Sequence, residues 1–304
     1  MSHSASTVAY LGPEGTFTEQ AARALDAGAR LVPTASVIAA ITALRSGEVD
    51  GACVPVENSV EGSVPATLDS LAQDEPVIAV AEHVLPIRFS VLARPGTAAT
   101  DVRTVATHPH AAAQVRRWLA EQFPAAETVL VASTAAAAVA VVDGEADAAV
   151  CAPVAAQHYR LDELATGVHD VGDAETRFLL LRRPGPLPVP TGRDRTSLVA
   201  VAADRPGALL EVLAEFALRG INLTRIESRP MRGRMGEYRF FLDCDGHVAD
   251  AAVGDALAEL HRRCHSVRFL GSYPRTGPPG TGPDPAGFSA AQQWLEAVRA
   301  GQRG

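Results

Sequence analysis

Two stretches of this chain repeat each other ninety-seven residues apart, and no other feature constrains the fold as much. "SVIAAITALRSGEVDGA" (36–52) and "STAAAAVAVVDGEADAA" (133–149) share Ser36/Ser133, Ala39/Ala136, Ala40/Ala137, Gly47/Gly144, Glu48/Glu145, Asp50/Asp147 and Ala52/Ala149. Each stretch predicts a helix capped by Ser and closed near Gly, then a strand opened by Asp. Alanine-rich helices coincide by chance, so the Gly-Glu-x-Asp-x-Ala block carries most of the weight. One unit used twice means two similar α/β lobes.

The flanking pattern fills both lobes. "TVAYL" (7–11), a helix from Thr16, "ARLVP" (29–33) and "GACVPV" (51–56) complete the first. "VRTVAT" (102–107), a helix over 110–122, "TVLVA" (128–132) and "DAAVCA" (147–152) complete the second. Alternating strands and helices at this spacing imply parallel sheets. The apolar run 77–93 suits a crossover between lobes, and Phe178–Leu181 suits the return. The expected bounds are 7–80 plus 176–183 for lobe one and 81–175 for lobe two. A returning strand runs antiparallel to its neighbours, so Thr176 and Arg177 should lie at the carboxyl ends of the parallel strands, where open α/β sheets bind ligands. "GPEGTFT" (12–18), "ENS" (57–59) and "THPH" (107–110) fall at equivalent points. At least two of these clusters open helices, whose free N–H groups suit an anion.

Composition then narrows the chemistry. All 27 basic residues are arginine, which removes Schiff-base lysines and the phosphate-loop lysine. No Gly-x-Gly-x-x-Gly follows a strand, so no cofactor is expected. Cys53, Cys151, Cys244 and Cys264 are widely spaced, which predicts reduced thiols and neither disulfides nor metal. Residues 1–194 hold 13 Arg against 23 Asp plus Glu, a poor surface for nucleic acid. The first residues lack a basic segment followed by an apolar core, and no uncharged stretch is long enough for a bilayer. The expectation is a soluble, cytoplasmic chain.

A Pro/Gly-rich boundary, 184–194, precedes a strand–helix–strand–strand–helix–strand pattern over 195–273, a ferredoxin-like βαββαβ order. Residues 274–304 read as a Pro/Gly-rich tail with a short helix at 289–300.

With those clusters placed, the chain resembles the prephenate dehydratase family across roughly residues 7–273, through "GPEGTFTEQAA" (12–22), "VPVENSVEGSV" (54–64), "THPHAAAQ" (107–114) and "TRF" (176–178). The second domain resembles an ACT regulatory domain through "GALLEVL" (207–213) and "IESRP" (226–230). The resemblance implies a two-lobed catalytic domain like type II periplasmic binding proteins, followed by the ACT domain. It implies decarboxylating dehydration of prephenate to phenylpyruvate, without metal or cofactor, in phenylalanine biosynthesis. It also implies feedback by L-phenylalanine and a homodimer or homotetramer built through ACT domains.

Carried over residue by residue, the resemblance makes Thr176 the group that assists the departing hydroxyl. Arg177 holds a carboxylate, with Arg88 its rival. Asn58 and Ser59 donate to substrate. Glu57 orients Arg177 or is structural, and Thr16 meets a carboxylate, caps its helix, or does both. His108 is an acid or a helix-start residue, and Phe178 keeps the cleft dry. His110 stands where the family more often has a Gln-like residue. The effector site comprises Gly207, Ala208, Leu209, Asn222, Glu227, Ser228, Arg229 and Pro230, with Glu227 facing the ammonium. The rival readings are an arogenate dehydratase, a non-enzymatic small-anion sensor, and an RNA-binding module at 195–273 suggested by "YRFF" (238–241).

Overall fold

The computed structural model describes residues 6–170, 172, 174–231, 234–277 and 285–302. The chain forms two units, residues 1–70 with 83–181 and residues 71–82 with 182–304.

The elements of the first lobe are β1 (Thr7–Leu11), α1 (Phe17–Leu25), β2 (Arg30–Thr34), α2 (Val37–Ser46), β3 (Gly51–Asn58), β4 (Gly62–Ser63), α3 (Pro65–Leu71) and β5 (Ile78–Pro86). The second lobe holds β6 (Phe89–Ala93), β7 (Thr104–Thr107), α4 (Pro109–Gln122), β8 (Glu127–Leu130), α5 (Thr134–Val142), β9 (Ala148–Cys151), α6 (Ala155–Tyr159) and β10 (Asp162–Val168), after which β11 (Glu175–Arg182) returns. The first sheet runs β2-β1-β3-β11-β5 with β4 paired to β3, and the second runs β8-β7-β9-β6-β10. The two orders are the same. In each sheet the fourth strand arrives from the other lobe and pairs antiparallel with the third.

The repeated residues explain themselves in this frame. Ser36 and Ser133 cap α2 and α5, each accepting the N–H three residues on. Asp50 Oδ2 accepts the backbone N–H and hydroxyl of Thr7, both at 2.9 Å. Asp147 Oδ2 does the same for Thr104, at 2.9 and 3.0 Å, and also takes the Arg103 N–H at 2.9 Å. Asp50 therefore ties the start of β3 to the start of β1, and Asp147 the start of β9 to the start of β7. α2 buries Ala40, Ile41 and Leu44 and α5 buries Ala137, Ala138 and Val141, the alanines letting helix and sheet approach closely.

One expected boundary moves. β5 stays in the first sheet through Pro86, so lobe one ends past residue 80 and the crossing falls at 87–88. The apolar run 77–93 hides this, because one continuous hydrophobic pattern serves two buried strands. A second departure is that residues 71–82 group with the second unit. There Glu82 forms a buried ion pair with Arg195, Arg268 donates to the carbonyls of Gln73 and Asp74, and the Thr276 N–H meets Glu82 at 2.8 Å. Contacts between residues so distant in sequence leave no local pattern.

The second unit carries β12 (Asp194–Val201), α7 (Ala208–Ala217), β13 (Leu223–Met231), β14 (Arg234–Asp245), α8 (Ala251–Arg263) and β15 (Ser266–Pro274). Its sheet order, β13-β14-β12-β15, is the antiparallel ferredoxin-like arrangement. Leu198, Ala200, Leu242 and Cys244 pack against Val212 and Phe216 of α7 and Ala252, Val253, Ala256 and Leu260 of α8. The last helix, α9 (Pro285–Arg299), begins four residues earlier than expected. All four cysteines are free, three of them buried. Burial pushes the Cys151 and Cys244 thiols up to about 12, which leaves them unreactive.

Asp147 tests the repeated lock. Its carboxyl is held below the usual value, chiefly by the Arg103 N–H. A group with a depressed folded pKa stabilises fully above its unfolded pKa and loses that contribution as pH falls through the folded one. Asp147→Ala should cost about 1–3 kcal/mol at pH 7, read by urea unfolding. The gap between variant and wild type should narrow near pH 3.

Candidate active site

Parallel β1 and β3 point their carboxyl ends to one edge of the first sheet, and antiparallel β11 begins there. The register sets Thr176 opposite Asn58 and Arg177 opposite Glu57. Asn58 Nδ2 donates to Thr176 Oγ1 at 2.9 Å. The amide orientation is fixed from its other side, because Asn58 Oδ1 accepts the N–H groups of Val60 and Glu61 at 2.8 and 3.0 Å. With one lone pair of Oγ1 occupied, the Thr176 hydroxyl is left to point its hydrogen elsewhere.

Arg177 is 7% exposed, so it does not snorkel to solvent. Its Nη2 lies 3.2 Å from Glu57 Oε2. A bulge between Arg177 and Phe178 separates this polar entry from the apolar run that follows, and Phe178 is 2% exposed. Ser59 clasps the strand entrance: its hydroxyl accepts the Glu175 N–H and its own N–H meets the Glu175 carbonyl, both at 2.9 Å. The rival Arg88 is exposed between β5 and β6.

Thr16 and His108 belong to a second cluster. They line a cleft of about 640 Å³ between the lobes, with Gly12, Pro13 and Phe17 on one wall and Ser133 and Thr134 on the other. Thr16 caps α1 by accepting the Glu19 N–H at 3.3 Å. His108 caps α4, its Nδ1 accepting the His110 N–H at 3.3 Å. Burial, then His110, push the His108 pKa below its usual value against the opposing pull of Glu61. A neutral ring accepting at Nδ1 carries its proton on Nε2.

Asn58, Thr176 and Arg177 are not part of that cleft's lining, but contacts join the two clusters. Asn58 holds the Glu61 N–H, and Glu61 Oε2 lies 2.8 Å from His110 Nδ1. The His110 ring in turn stacks edge-on against His108 at 4.8 Å. His110, without an expected role, is thus a bridge between lobes. Three further bridges escape the sequence reading. His158 Nε2 meets Glu19 Oε1 at 3.0 Å, the Tyr159 hydroxyl donates to the Glu14 carbonyl at 2.9 Å, and the rings of Phe17 and Phe89 stand 5.5 Å apart. "TFTE" (16–19) carries the Thr-x-x-Glu capping signature that could have singled out Glu19. No local signal marks His158.

In the second unit, Gly207 starts α7 in the left-handed region at φ 84°, followed by Ala208 and the partly exposed Leu209. Ser228 and Pro230 pair with Phe240 and Tyr238 on the helix-covered face of the sheet. Glu227 and Arg229 alternate to the opposite face. There Glu227 meets Arg225 at 2.5 Å and Arg229 at 3.6 Å. Asn222 donates to Asp245 Oδ2 at 2.9 Å. Among the described residues no cluster of His, Cys, Asp and Glu could hold a metal, and no helix is long and apolar enough to cross a membrane.

Known proteins share this arrangement. The prephenate dehydratase of Amycolatopsis methanolica is 58% identical over 304 residues, 98% of this chain and 99% of the relative. The crystal structure of prephenate dehydratase from Arthrobacter aurescens in complex with L-Phe is 44% identical, with a TM-score of 0.88, covering 97% of this chain and 99% of that one. A structure described as GqqA, a novel type of quorum quenching acylase, is 31% identical, with a TM-score of 0.82, covering 89% and 98%. The prephenate dehydratase family model matches residues 8–186 and the ACT domain model matches 196–262. This chain belongs to the prephenate dehydratase family, with an ACT domain behind the two lobes.

Proposed function

We propose that the chain converts prephenate to phenylpyruvate, with Thr176, Arg177 and Asn58 as the reacting cluster joined to the cleft and L-phenylalanine as the effector of its ACT domain. The Asn58–Thr176 bond carries the proposal for the site, since it holds the Thr176 oxygen in place and leaves its hydrogen free to donate. The substrate dianion loses its ring carboxylate as carbon dioxide. The electron pair of that bond enters the ring, and the ring hydroxyl departs with a proton as water. Aromatisation drives the reaction, so the protein need only orient, desolvate and assist.

Thr176 donates to the departing oxygen, and the proton taken up comes from solvent. Buried Arg177 offers its planar fork to a carboxylate, with Glu57 steadying it. The N–H groups at the start of α1 receive the other carboxylate beside Thr16. His108 Nε2–H serves as a donor across the cleft. Ser59 holds the Thr176 strand in place, and Phe178 seals it from water.

Phenylalanine is placed at the start of α7, over Gly207–Leu209, with Ser228 and Pro230 on the same face. The domain match and the L-Phe complex of the Arthrobacter aurescens enzyme support that placement. β13 is an edge strand of its sheet, so two copies can join along it as a homodimer or higher assembly, which sedimentation would reveal. A cytoplasmic location fits a biosynthetic step with four free thiols.

Incubating the purified chain with prephenate and with arogenate, and following the aromatic product, tests the reaction and separates the two dehydratases. A sensor would bind without turnover. Thr176→Ala should lower kcat about 100-fold or more with its melting temperature kept, because positioned proton donors contribute on that scale. Near-normal turnover in the folded variant removes Thr176 from its role. Arg177→Lys should raise KM at least about 10-fold, since an ammonium lacks the bidentate geometry. Unchanged kinetics would pass carboxylate binding to Arg88 or to the α1 N–H groups. Ser228→Ala should weaken phenylalanine inhibition several-fold, on the order of one lost hydrogen bond, while uninhibited turnover stays the same.

A further inference from the structure

We infer that Glu19 and His158 are positioning residues for the cleft, joining the lobes behind the Gly12–Thr16 loop so that its inner face is held toward substrate. The inference rests on reading the cleft as the prephenate site. Glu19 is 1% exposed and is not among the residues lining the cleft. A buried carboxylate is costly unless its oxygens are satisfied, and here they are. Oε2 takes the Gly15 N–H at 2.6 Å, and Oε1 takes Arg23 Nη2 at 2.6 Å and His158 Nε2 at 3.0 Å. The first two bonds stay inside lobe one. The third crosses to α6 of lobe two.

The surroundings show that the crossing is built and not incidental. Gly15 has φ 83°, and a Cβ there would stand 3.0 Å from the Tyr159 ring and 3.2 Å from Ala155 Cβ. The Tyr159 hydroxyl binds the Glu14 carbonyl, and His158 Nδ1 lies 3.8 Å from Glu14 Oε2. The loop therefore rests its back on α6 while Gly12, Pro13 and Thr16 line the cleft. Another Glu–His bridge between lobes, Glu61–His110, has side chains 38% and 65% exposed, where water competes for the contact. The buried bridge holds the lobes together, and the exposed one opens more readily when substrate enters.

His158 acts by donating from Nε2, which a glutamine side chain also does. The test uses the full chain with His158→Leu, His158→Gln and Arg23→Gln. KM and kcat for prephenate are measured, together with hydrogen exchange of peptides spanning 11–18. His158→Leu should raise KM about 10-fold or more with kcat within about 3-fold, and should lower amide protection over 11–18. His158→Gln should recover most of both. Arg23→Gln, which disturbs only the two bonds from Arg23 Nε and Nη2 to Glu19 within lobe one, should leave KM unchanged. Unchanged KM and protection in His158→Leu, or a glutamine variant as impaired as leucine, would overturn the inference. If His158→Leu does not fold, His158→Asn, whose amide is too short to reach Glu19, takes its place under the same criteria. A wild-type chain inert toward prephenate would overturn the functional reading instead, while exchange over 11–18 would still report on the contact.

Discussion

The antiparallel pairing of β11 with β3 is the contact on which the rest of the site depends. It joins residues 118 positions apart, setting Thr176 beside Asn58 and Arg177 beside Glu57. A slip of one residue would turn every side chain of β11 to the other face and take Thr176 away from its partner. The slip is resisted at both ends. Leu179, Leu180 and Leu181 are buried further along the strand, and Ser59 clasps the backbone of Glu175 at its entrance. The Asn58–Thr176 pair is thereby fixed by the same register that completes the hydrophobic sheet.

That placement answers an electrostatic difficulty. The first 194 residues carry ten more acids than arginines, so their mean field repels a dianion. Attraction has to come from groups close to the ligand and shielded from water, where interactions are less screened. Arg177, withdrawn to 7% exposure, and the N-terminal turns of α1 and α4 are arranged in that way. The chain described as an acylase shares the same fold at a TM-score of 0.82, so the architecture alone does not select the reaction. The choice lies with the side chains that a shared fold carries.

The sequence exposed those parts of the fold that repeat or alternate. Asp50 and Asp147 stood at matched positions because each performs the same tie, and Ser36 and Ser133 because each caps the same helix. Thr176 and Asn58 were legible as separate motifs, and the antiparallel return of β11 followed from the need to complete the first sheet. What stayed hidden depends on contacts between distant residues. Nothing near Glu82 announces Arg195, and nothing near His158 announces Glu19. A motif read as a string also hides strand alternation, which sends Glu227 and Ser228 to opposite faces of β13.

Communication between the ACT domain and the cleft is constrained by the same covalent path. β11 carries Thr176 and Arg177 just after its first residue and ends at Arg182, where the chain passes into the second unit; β5 crosses the same boundary between Glu82 and His83. A strand buried through Leu179–Leu181 does not stretch, and slipping it would expose a row of core residues. An effector signal carried along β11 therefore has to tilt or shift the strand as a body, together with its sheet. Phenylalanine can drive such a shift only to the extent that it binds one arrangement better than the other, and substrate must then weaken phenylalanine binding by the same factor. The buried Glu19–His158 bridge does not lie on that path. Movement of β11 can thus shift Thr176 and Arg177 while the Gly12–Thr16 loop stays seated on α6, so the two polar clusters can respond to such a shift separately.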